Sequence, residues 1–293
     1  MRGLLTLAGE GTRMLPWTRG LRKEFLPLYG RSNGGPPVLK PVAHLVLETM
    51  VGAGVTDITL VVGAKDRAFV QQYFTVDRAF LERNAHHPDR LRETERFYRT
   101  LSRLRIRFAI QPAPRGFGDA VLVARPQLGG EDFLLHAADA ILLERTPGAL
   151  LGRLARLRDA EGLDAVLVVR RVADPRRYGV VEGEPLPRFE GVRRLRVTAM
   201  EEKPSRPRSS WAATATYCFT PRIFDGLEAV RRARRPRELE LTDAVRWLIG
   251  HGGRVEALVL SPGVGEWWSV GSPDGYVRAL RRTERAVRLR SSG

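Results

Sequence analysis

The chain of 293 residues is poor in cysteine, in lysine and in long apolar runs. Cys218 is its only cysteine, so no disulfide can form within the chain, and this composition indicates a reducing cytoplasm. No apolar run approaches the roughly 18 residues that a membrane-spanning helix needs. Charged and helix-breaking residues arrive by Glu10, which argues against the long apolar core of a signal peptide. We therefore expect a cytoplasmic protein with no membrane partner.

Lysine is scarce although the chain is strongly basic. Only Lys23, Lys40, Lys65 and Lys203 occur among 49 basic residues, and arginine supplies the other 45. The formal net charge of +16 is compatible with a nucleic-acid partner. However, the arginines are spread along the chain without interleaved aromatic residues, which favours a solvated basic surface over a nucleic-acid site. Small anionic substrates such as nucleotides would be attracted by the same field.

Apolar runs alternate between strand and helix patterns over the first 170 or so residues. Strands are predicted at 3–9, 57–63, 105–110, 132–137 and 164–169, and helices at 41–54, 65–74, 88–102, 119–128 and 147–162. The glycine- and proline-rich segment 30–39 is predicted to be a loop. This alternation predicts an α/β fold in which helices cover both faces of a mostly parallel sheet. Ligands of such sheets bind beyond the carboxyl ends of the strands.

The pattern changes after about residue 178. Three further strands, in 178–183, 192–204 and 212–219, follow one another almost without helices, which predicts antiparallel pairing. Helices are predicted at 221–233 and 239–250, and a final amphipathic helix from Pro273 to about Leu289. We see no internal repeat, so a single domain spanning 1–293 is the simplest organisation.

Glycines and cations crowd the stretch LAGEGTRMLPWTRGLRKEFLP, residues 7–27, directly after the first predicted strand. Gly9 and Gly11 would let backbone N–H groups approach phosphate oxygens closely. Arg13 and Lys23 could then neutralise the charge of a triphosphate. The stretch contains neither the Walker A pattern nor a complete G-x-G-x-x-G, so on its own it fits a structural turn equally well.

Seven blocks in a fixed order decide between these readings: residues 8–28, KPVAHLVLETMVGAGV, GFGDAV, AADAIL, YGVV, EEKP and ELTDAV. Together they resemble the sugar-1-phosphate nucleotidylyltransferases, and most of all the bacterial and archaeal UTP–glucose-1-phosphate uridylyltransferases. The resemblance runs from about residue 3 to 280. It implies a Rossmann-like, mixed but mostly parallel sheet between helices, with a small antiparallel part. It also implies a nucleotide-binding part over about 1–165, a sugar-binding part over about 166–272, a C-terminal helix over about 273–293, and a homo-oligomer, either dimer or tetramer.

The resemblance also implies which residues bind the nucleotide, either UTP or dTTP. Arg13 and Lys23 would contact the phosphates, and Gln111 would read the pyrimidine edge that both nucleotides share. From the residues alone, Gln111 could instead be a hydrogen-bonded residue at the sheet edge. The full nucleotide-binding set implied is Ala8, Gly9, Gly11, Thr12, Gln111, Gly116 and Gly118.

The sugar and metal sites follow from the same resemblance. Asp139 would bind Mg²⁺, Gly179 would offer its backbone to the sugar, Glu202 would take a sugar hydroxyl, and Lys203 would take the sugar phosphate. From the residues alone, Asp139 could instead cap a turn, and Glu202 with Lys203 could form an exposed ion pair of little consequence. Arg13, Lys23 and Lys203 form the expected catalytic set.

The expected reaction joins glucose 1-phosphate to the nucleotidyl group of UTP, with release of pyrophosphate. The attacking phosphate oxygen is already an anion, so neither a general base nor a covalent intermediate is needed. Catalysis would consist of holding two mutually repelling anions together and neutralising charge on their oxygens.

Two positions depart from the family pattern. Ser269 lies where the family has a second metal-binding carboxylate, and Ala215 replaces a glycine close to the sugar. Three explanations stay open. Asp139, phosphates and water could hold Mg²⁺ without a second carboxylate. The sugar pocket could accept a different sugar or cyclitol phosphate. The chain could also be a catalytically weak homologue that binds nucleotide.

Overall fold

A nine-stranded mixed sheet lies at the centre of the computed structural model, which describes residues 1–32, 36–234 and 238–288. The strands are β1 (Arg2–Thr6), β2 (Pro27–Gly30), β3 (Val38–Pro41), β4 (Asp57–Gly63), β5 (Arg105–Gln111), β6 (Phe133–Ala137), β7 (Ala140–Leu143), β8 (Ala165–Arg171), β9 (Gly179–Phe189), β10 (Val192–Glu202), β11 (Trp211–Phe219), β12 (Val255–Val259) and β13 (Glu266–Ser269). The helices are α1 (Val42–Gly52), α2 (Arg67–Tyr73), α3 (Arg78–Arg83), α4 (Pro88–Leu101), α5 (Phe117–Leu122), α6 (Arg125–Leu128), α7 (Ala149–Glu161), α8 (Arg222–Arg234), α9 (Leu241–Gly250) and α10 (Pro273–Arg288).

The central sheet has the strand order β5-β4-β1-β6-β11-β8-β12-β10-β9. Strand β1 is parallel to β4 and β6, β4 is parallel to β5, and β8 is parallel to β12. Strand β11 runs antiparallel between β6 and β8, and β9 and β10 extend the sheet as an antiparallel pair. The sheet is therefore mixed, as predicted, but its antiparallel share is larger than the sequence pattern indicated.

Helices cover both faces of this sheet. Leu4 and Leu5 are adjacent on β1, yet they belong to two different buried clusters, because successive side chains of a strand point to opposite faces. The Leu5 cluster includes residues of α1, α7 and α10, and the Leu4 cluster includes residues of α5, α8 and α9. Strands buried on both faces read as continuous apolar runs, which explains why β4 and β8 were recognisable in the sequence. The predicted α/β architecture with helices on both faces is confirmed.

Most predicted elements are present, and the errors have local causes. The prediction of a loop over 30–39 is wrong at both ends, because β2 and β3 pair there as an antiparallel hairpin; residues 33–35 lie outside the described residues. The single helix predicted over 119–128 is divided into α5 and α6, since Pro126 lacks the N–H that would continue the helix. Strands β7, β12 and β13 had not been predicted.

The C-terminal helix α10 packs against β2. Tyr29 N–H donates to Thr283 Oγ1 at 3.3 Å, and Tyr276 OH donates to Pro27 O at 3.1 Å. The predicted end at Leu289 lies outside the described residues, as does the rest of the segment 289–293. Among the helices of the described ranges, none is both long and apolar enough to cross a membrane.

Candidate active site

A cleft of about 1260 Å³ opens at the carboxyl ends of β1, β6 and β8. Side chains at this edge of an α/β sheet converge, because the strands end there and the chain turns into loops. Most residues predicted for the site line the cleft: Ala8, Gly9, Gly11, Thr12, Arg13, Lys23, Gln111, Gly116, Asp139, Gly179, Glu202, Lys203 and Ser269. Gly118 is buried beside the cleft and does not line it.

The glycine loop after β1 is fixed by side chains that bind its backbone carbonyl groups. Gly11 has a φ of 66°, a left-handed conformation that glycine adopts without strain, and it begins a short 3₁₀ turn over Thr12–Met14. Thr18 Oγ1 donates to Gly11 O at 2.9 Å, and an Arg22 guanidinium N–H donates to Gly9 O at 2.9 Å. Within the described ranges, the N–H groups of Gly9 and Gly11 donate to no other residue. These N–H groups are therefore available for a ligand.

Lys23 lies under this loop and forms an ion pair with Asp139. Its Nζ is 2.7 Å from Asp139 Oδ2 and 3.9 Å from Glu24 Oε1. Burial disfavours the ammonium form of Lys23, but the two carboxylates outweigh burial and raise the pKa. Burial likewise disfavours the Asp139 carboxylate, but Lys23 outweighs it and the pKa of Asp139 is lowered. Both groups are thus charged at neutral pH.

Glu24 is a buried carboxyl group for which the sequence analysis had found no role. Only 1% of the residue is exposed, and burial raises its pKa to about 7. Its Oε2 makes no hydrogen bond to any described residue. The signal in the sequence was weak, because a glutamate beside a lysine is common on protein surfaces.

The predicted metal-binding corner is assembled from two strands. Strand β13 pairs with β7 so that Ser269 faces Ala140, and Val270 N–H donates to Asp139 O at 2.9 Å. A Cβ placed on Gly271 would lie 3.2 Å from Ser269 Oγ, 3.5 Å from Asp139 Oδ2 and 3.1 Å from Arg13 Nη2. Ser269 Oγ and Asp139 are therefore neighbours, and Arg13 lies beside them.

The donors at this corner suit a cation that takes most of its ligands from elsewhere. They comprise one carboxylate and one hydroxyl, and no group of three or more His, Cys, Asp or Glu that could hold a metal occurs in the part of the chain that is described. Mg²⁺ commonly uses one or two carboxylates and completes its octahedron with phosphate oxygens and water. The residues present therefore fit Mg²⁺ that arrives with a phosphate ligand.

The other end of the glycine loop faces Gln111 at the end of β5. Gln111 Nε2 donates to Gly116 O at 3.2 Å and to Asp119 Oδ2 at 2.8 Å, which leaves the carbonyl Oε1 as the atom that can accept from a ligand. Gly118 N–H donates to Leu239 O at 2.8 Å, so it has no N–H to offer a base. A Cβ on Gly116 would lie 2.5 Å from Leu239 O, which accounts for glycine at that position.

The predicted sugar-binding residues meet on β9 and β10. Gly179 pairs with Glu202, and a Cβ on Gly179 would approach Glu202 Oε2 to 3.2 Å. Lys203 Nζ lies 3.1 Å from Glu202 and 3.8 Å from Glu240, and these two carboxylates outweigh burial, so the pKa of Lys203 is raised. Thr242 Oγ1 donates to Glu202 Oε2 at 2.7 Å.

Sequence analysis did not assign roles to several residues that line this end of the cleft. Glu240 and Thr242 stand in the ELTDAV block, which was recognised without a function for either side chain. Trp267 forms part of the cleft wall, and its indole N–H donates to Thr214 O at 3.0 Å. Arg170 stacks on Trp267 with 4.6 Å between its Cζ and the ring centroid. The pairing of β13 with β7 places Trp267 in this wall.

Comparisons with known proteins show which family the chain belongs to. The glucose-1-phosphate thymidylyltransferase of Streptomyces griseus is 30% identical over 293 residues, which cover 100% of this chain and 69% of that protein. The UTP–glucose-1-phosphate uridylyltransferase of Bacillus subtilis is 31% identical over 282 residues, covering 94% and 88% of the two chains. A crystal structure of UDP-glucose pyrophosphorylase complexed with UDP-glucose superposes with a TM-score of 0.81 at 25% identity, covering 97% and 98%. The nucleotidyl transferase family model matches residues 2–286, and the chain therefore belongs to the nucleotidyl transferase family.

Proposed function

We propose that this protein transfers the uridylyl group of UTP to glucose 1-phosphate, which yields UDP-glucose and pyrophosphate. The observation that carries the proposal is the cleft itself. One wall presents free N–H groups of the glycine loop above Lys23, and the other presents Glu202 beside Lys203. Two phosphorylated substrates can therefore meet at its centre.

The chemistry needs positioning and positive charge more than proton transfer. A phosphate oxygen of the sugar 1-phosphate attacks the α-phosphorus of the nucleotide in line, and pyrophosphate leaves. Lys203 would hold the attacking phosphate, and Lys23 with Arg13 would face the phosphates of the nucleotide. These cations reduce the repulsion between two anions and stabilise charge on the oxygens of the transition state.

Mg²⁺ is the cofactor that the metal-binding corner suits. Asp139 would hold it together with nucleotide phosphates, with the Ser269 hydroxyl in reach. When bound there, Mg²⁺ supplies positive charge to the phosphate oxygens. Asp139 is paired with Lys23, so Lys23 would lie beside the group that holds the metal and could face the phosphates of the nucleotide.

UTP and dTTP are both compatible with the base site, because Gln111 Oε1 can accept from the N–H that uracil and thymine share. The curated relatives include enzymes named for each nucleotide. We favour UTP and keep dTTP as the alternative, with a modified sugar or cyclitol phosphate as the alternative acceptor. The same proposal includes a nucleotide-binding part over about 1–165 and a sugar-binding part over about 166–272. It also includes assembly as a dimer or tetramer.

The decisive experiment is a matrix of pyrophosphate release. UTP, dTTP and ATP are each combined with glucose 1-phosphate, galactose 1-phosphate and inositol 1-phosphate, with Mg²⁺ or with EDTA. We expect turnover with UTP and glucose 1-phosphate that stops with EDTA. Turnover with dTTP or another acceptor would replace the substrates while keeping the reaction.

A catalytically weak homologue is the second candidate, and Ser269 in place of a carboxylate is the observation that favours it. This candidate predicts no pyrophosphate from any pair but saturable binding of UTP in calorimetry. No turnover and no nucleotide binding would contradict both candidates.

A further inference from the structure

Arg170 at the end of β8 is a half-buried guanidinium held between two aromatic rings in the cleft. Its Cζ lies 4.6 Å from the centroid of Trp267 and 5.5 Å from that of Tyr178, and Nη2 lies 3.4 Å from Tyr178 OH. Trp267 is itself fixed by its hydrogen bond to Thr214 O. The side chain is thus oriented before any ligand arrives, which lowers the entropic cost of binding.

Arg170 has no carboxylate partner among the described residues. Three acidic side chains that line the cleft already have cations: Glu202 and Glu240 face Lys203, and Glu266 forms a two-bond pair with Arg282. Three further arginines on the sugar side, also without a carboxylate within ion-pair distance in the described ranges, line the same cleft: Arg171, Arg177 and Arg193. An uncompensated positive charge therefore lies where a neutral sugar would need none.

Arg170 and Lys203 line the same cleft, and both contact Tyr178. The backbone N–H of Lys203 donates to Tyr178 O at 3.0 Å, whereas the Arg170 guanidinium approaches the Tyr178 ring and hydroxyl. Tyr178 immediately precedes Gly179, the proposed sugar contact. Tyr178 thus contacts both residues, and because both line one cleft, a ligand that meets Lys203 with its 1-phosphate can present another group to Arg170.

We propose that this enzyme prefers, over glucose 1-phosphate, a sugar 1-phosphate acceptor that carries a second anionic substituent, and that Arg170 binds that substituent. The planar fork of a guanidinium matches a carboxylate or a phosphate through two parallel hydrogen bonds. A hexuronic acid 1-phosphate and a hexose bisphosphate share this chemistry. The inference rests on the proposed nucleotidyl transfer and names the substrate class within it.

The test compares kcat/KM for three acceptors with UTP: glucose 1-phosphate, glucuronic acid 1-phosphate and glucose 1,6-bisphosphate. We expect one of the two anionic acceptors to be preferred by about tenfold or more, as for one charge-assisted hydrogen bond. Arg170→Gln should abolish that preference, mainly through KM, and Arg170→Lys should keep part of it. Which acceptor is preferred distinguishes a carboxylate from a phosphate.

Arg99→Gln is the matched control, because Arg99 is an exposed residue of α4 outside the cleft, with its guanidinium 3.9 Å from Glu95. It removes one positive charge and should leave the ratio of the acceptors unchanged. If Arg170→Gln lowers kcat/KM equally for all three acceptors, the inference is overturned while the proposed function stands. The same holds if the unmodified protein shows no preference for an anionic acceptor.

Measurements of binding without turnover distinguish failure of the proposed reaction from failure of the inference about Arg170. Calorimetry that compares UDP-glucuronic acid with UDP-glucose measures the preference for a carboxylate even if no pyrophosphate is released. Calorimetry that compares glucose 1,6-bisphosphate with glucose 1-phosphate measures the preference for a second phosphate. Tighter binding of an anionic member that is lost in Arg170→Gln supports the inference. Equal affinities within both pairs contradict it, whatever the outcome for catalysis.

Discussion

The pair formed by Lys23 and Asp139 shows how the free protein keeps two charges buried in its cleft. Each group would be disfavoured by burial alone, and each is held in its charged form largely by the other at 2.7 Å. Removing one partner leaves an uncompensated buried charge. Under the proposed function, a phosphate at Lys23 and a cation at Asp139 would each compete with the existing ion pair.

Asp139→Asn is the first prediction at the residue scale. Asparagine keeps the shape and an acceptor for Lys23 but loses the charge that a metal and Lys23 require. We expect turnover to fall by about 100-fold or more, as when a preorganised electrostatic contact is lost, while circular dichroism stays unchanged. Asp159→Asn, on the exposed side of α7, is the control and should keep full activity. Near-normal turnover in Asp139→Asn would remove Asp139 from the mechanism.

Ser269→Asp is the second prediction. The register of β13 against β7 puts this side chain beside Asp139, so a second carboxylate would face the same corner. We expect the Mg²⁺ concentration for half-maximal activity to fall severalfold, because affinity for hard cations rises with the number of charged oxygen ligands. Ser102→Asp, at the exposed end of α4, is the control. An unchanged Mg²⁺ dependence would mean that Ser269 is not at a metal site.

At the scale of the element, strand β11 contains an irregularity in its pairing that was not predicted from the sequence. Its pairing with β8 is interrupted between Ala213 and Tyr217, and Ala215 there has a φ of 54°, which is unfavourable for any residue with a Cβ. The interruption lets Thr214 O turn toward Trp267. Backbone strain in β11 is therefore linked to the wall of the proposed sugar subsite.

Ala215→Gly should stabilise the protein by about 1 kcal/mol, because glycine adopts the left-handed conformation without a steric cost. The measurement is the midpoint of thermal unfolding. Ala213→Gly is the matched control in the same strand, where the backbone is extended and glycine should destabilise by about 0.5–1 kcal/mol. The same shift in both variants would mean that backbone strain at Ala215 is not the cause.

Helix α1 provides a prediction of pH dependence. Glu48 accepts from Lys40 Nζ at 2.8 Å and lies 3.4 Å from His44 Nε2. Burial would raise the pKa of Glu48, but His44 and Lys40 outweigh burial and lower it to about 2. Because the folded pKa lies below the unfolded value of about 4.3, the ionised group stabilises the fold above that value. The stabilisation is lost as the pH falls toward 2.

Glu48→Gln should therefore destabilise the protein by roughly 1–2 kcal/mol at pH 7, after allowance for solvent screening of a partly exposed group. The difference from the unmodified protein should shrink between pH 5 and pH 3 in denaturation experiments. Glu95→Gln, an exposed residue of α4, should change stability by no more than about 0.5 kcal/mol at either pH. A difference in stability that does not change with pH would contradict the lowered pKa of Glu48.

At the scale of the whole molecule, the positive charge is distributed over many elements. Arginines pair with carboxylates of other segments, such as Arg125 with Glu228 and Arg222 with Asp164. The four arginines without a carboxylate partner noted above line the cleft of the candidate active site. This distribution agrees with small anionic ligands as the partners.

We accordingly predict that nucleic acid binds weakly and without saturation at physiological salt. Fluorescence anisotropy with a short duplex and a single-stranded RNA at about 50 and 200 mM salt measures this. Saturable binding that weakens by several orders of magnitude between these concentrations would indicate many phosphate contacts and favour a nucleic-acid partner.

The glycine loop after β1 and the positions of the first strands along the chain could be predicted because their signals are local. Strand β4 is apolar throughout, and the 7–27 stretch concentrates glycine and charge within one segment. Hairpin β2–β3 was not predictable, since glycine and proline dominate the composition of its connection. Strands β7, β12 and β13 are four or five residues long and owe their state to their neighbours.

The sequence alone determined the α/β class through its periodicity and the family through the resemblance of its ordered motifs, because both are properties of short runs of consecutive residues. Only the tertiary structure decided that Lys23 pairs with Asp139, that Ser269 lies beside that pair, and that Arg170 stacks on Trp267 without a carboxylate partner among the described residues. The physical reason is that these contacts join segments about 100 residues or more apart. Their distances depend on strand register and burial, which no local pattern encodes.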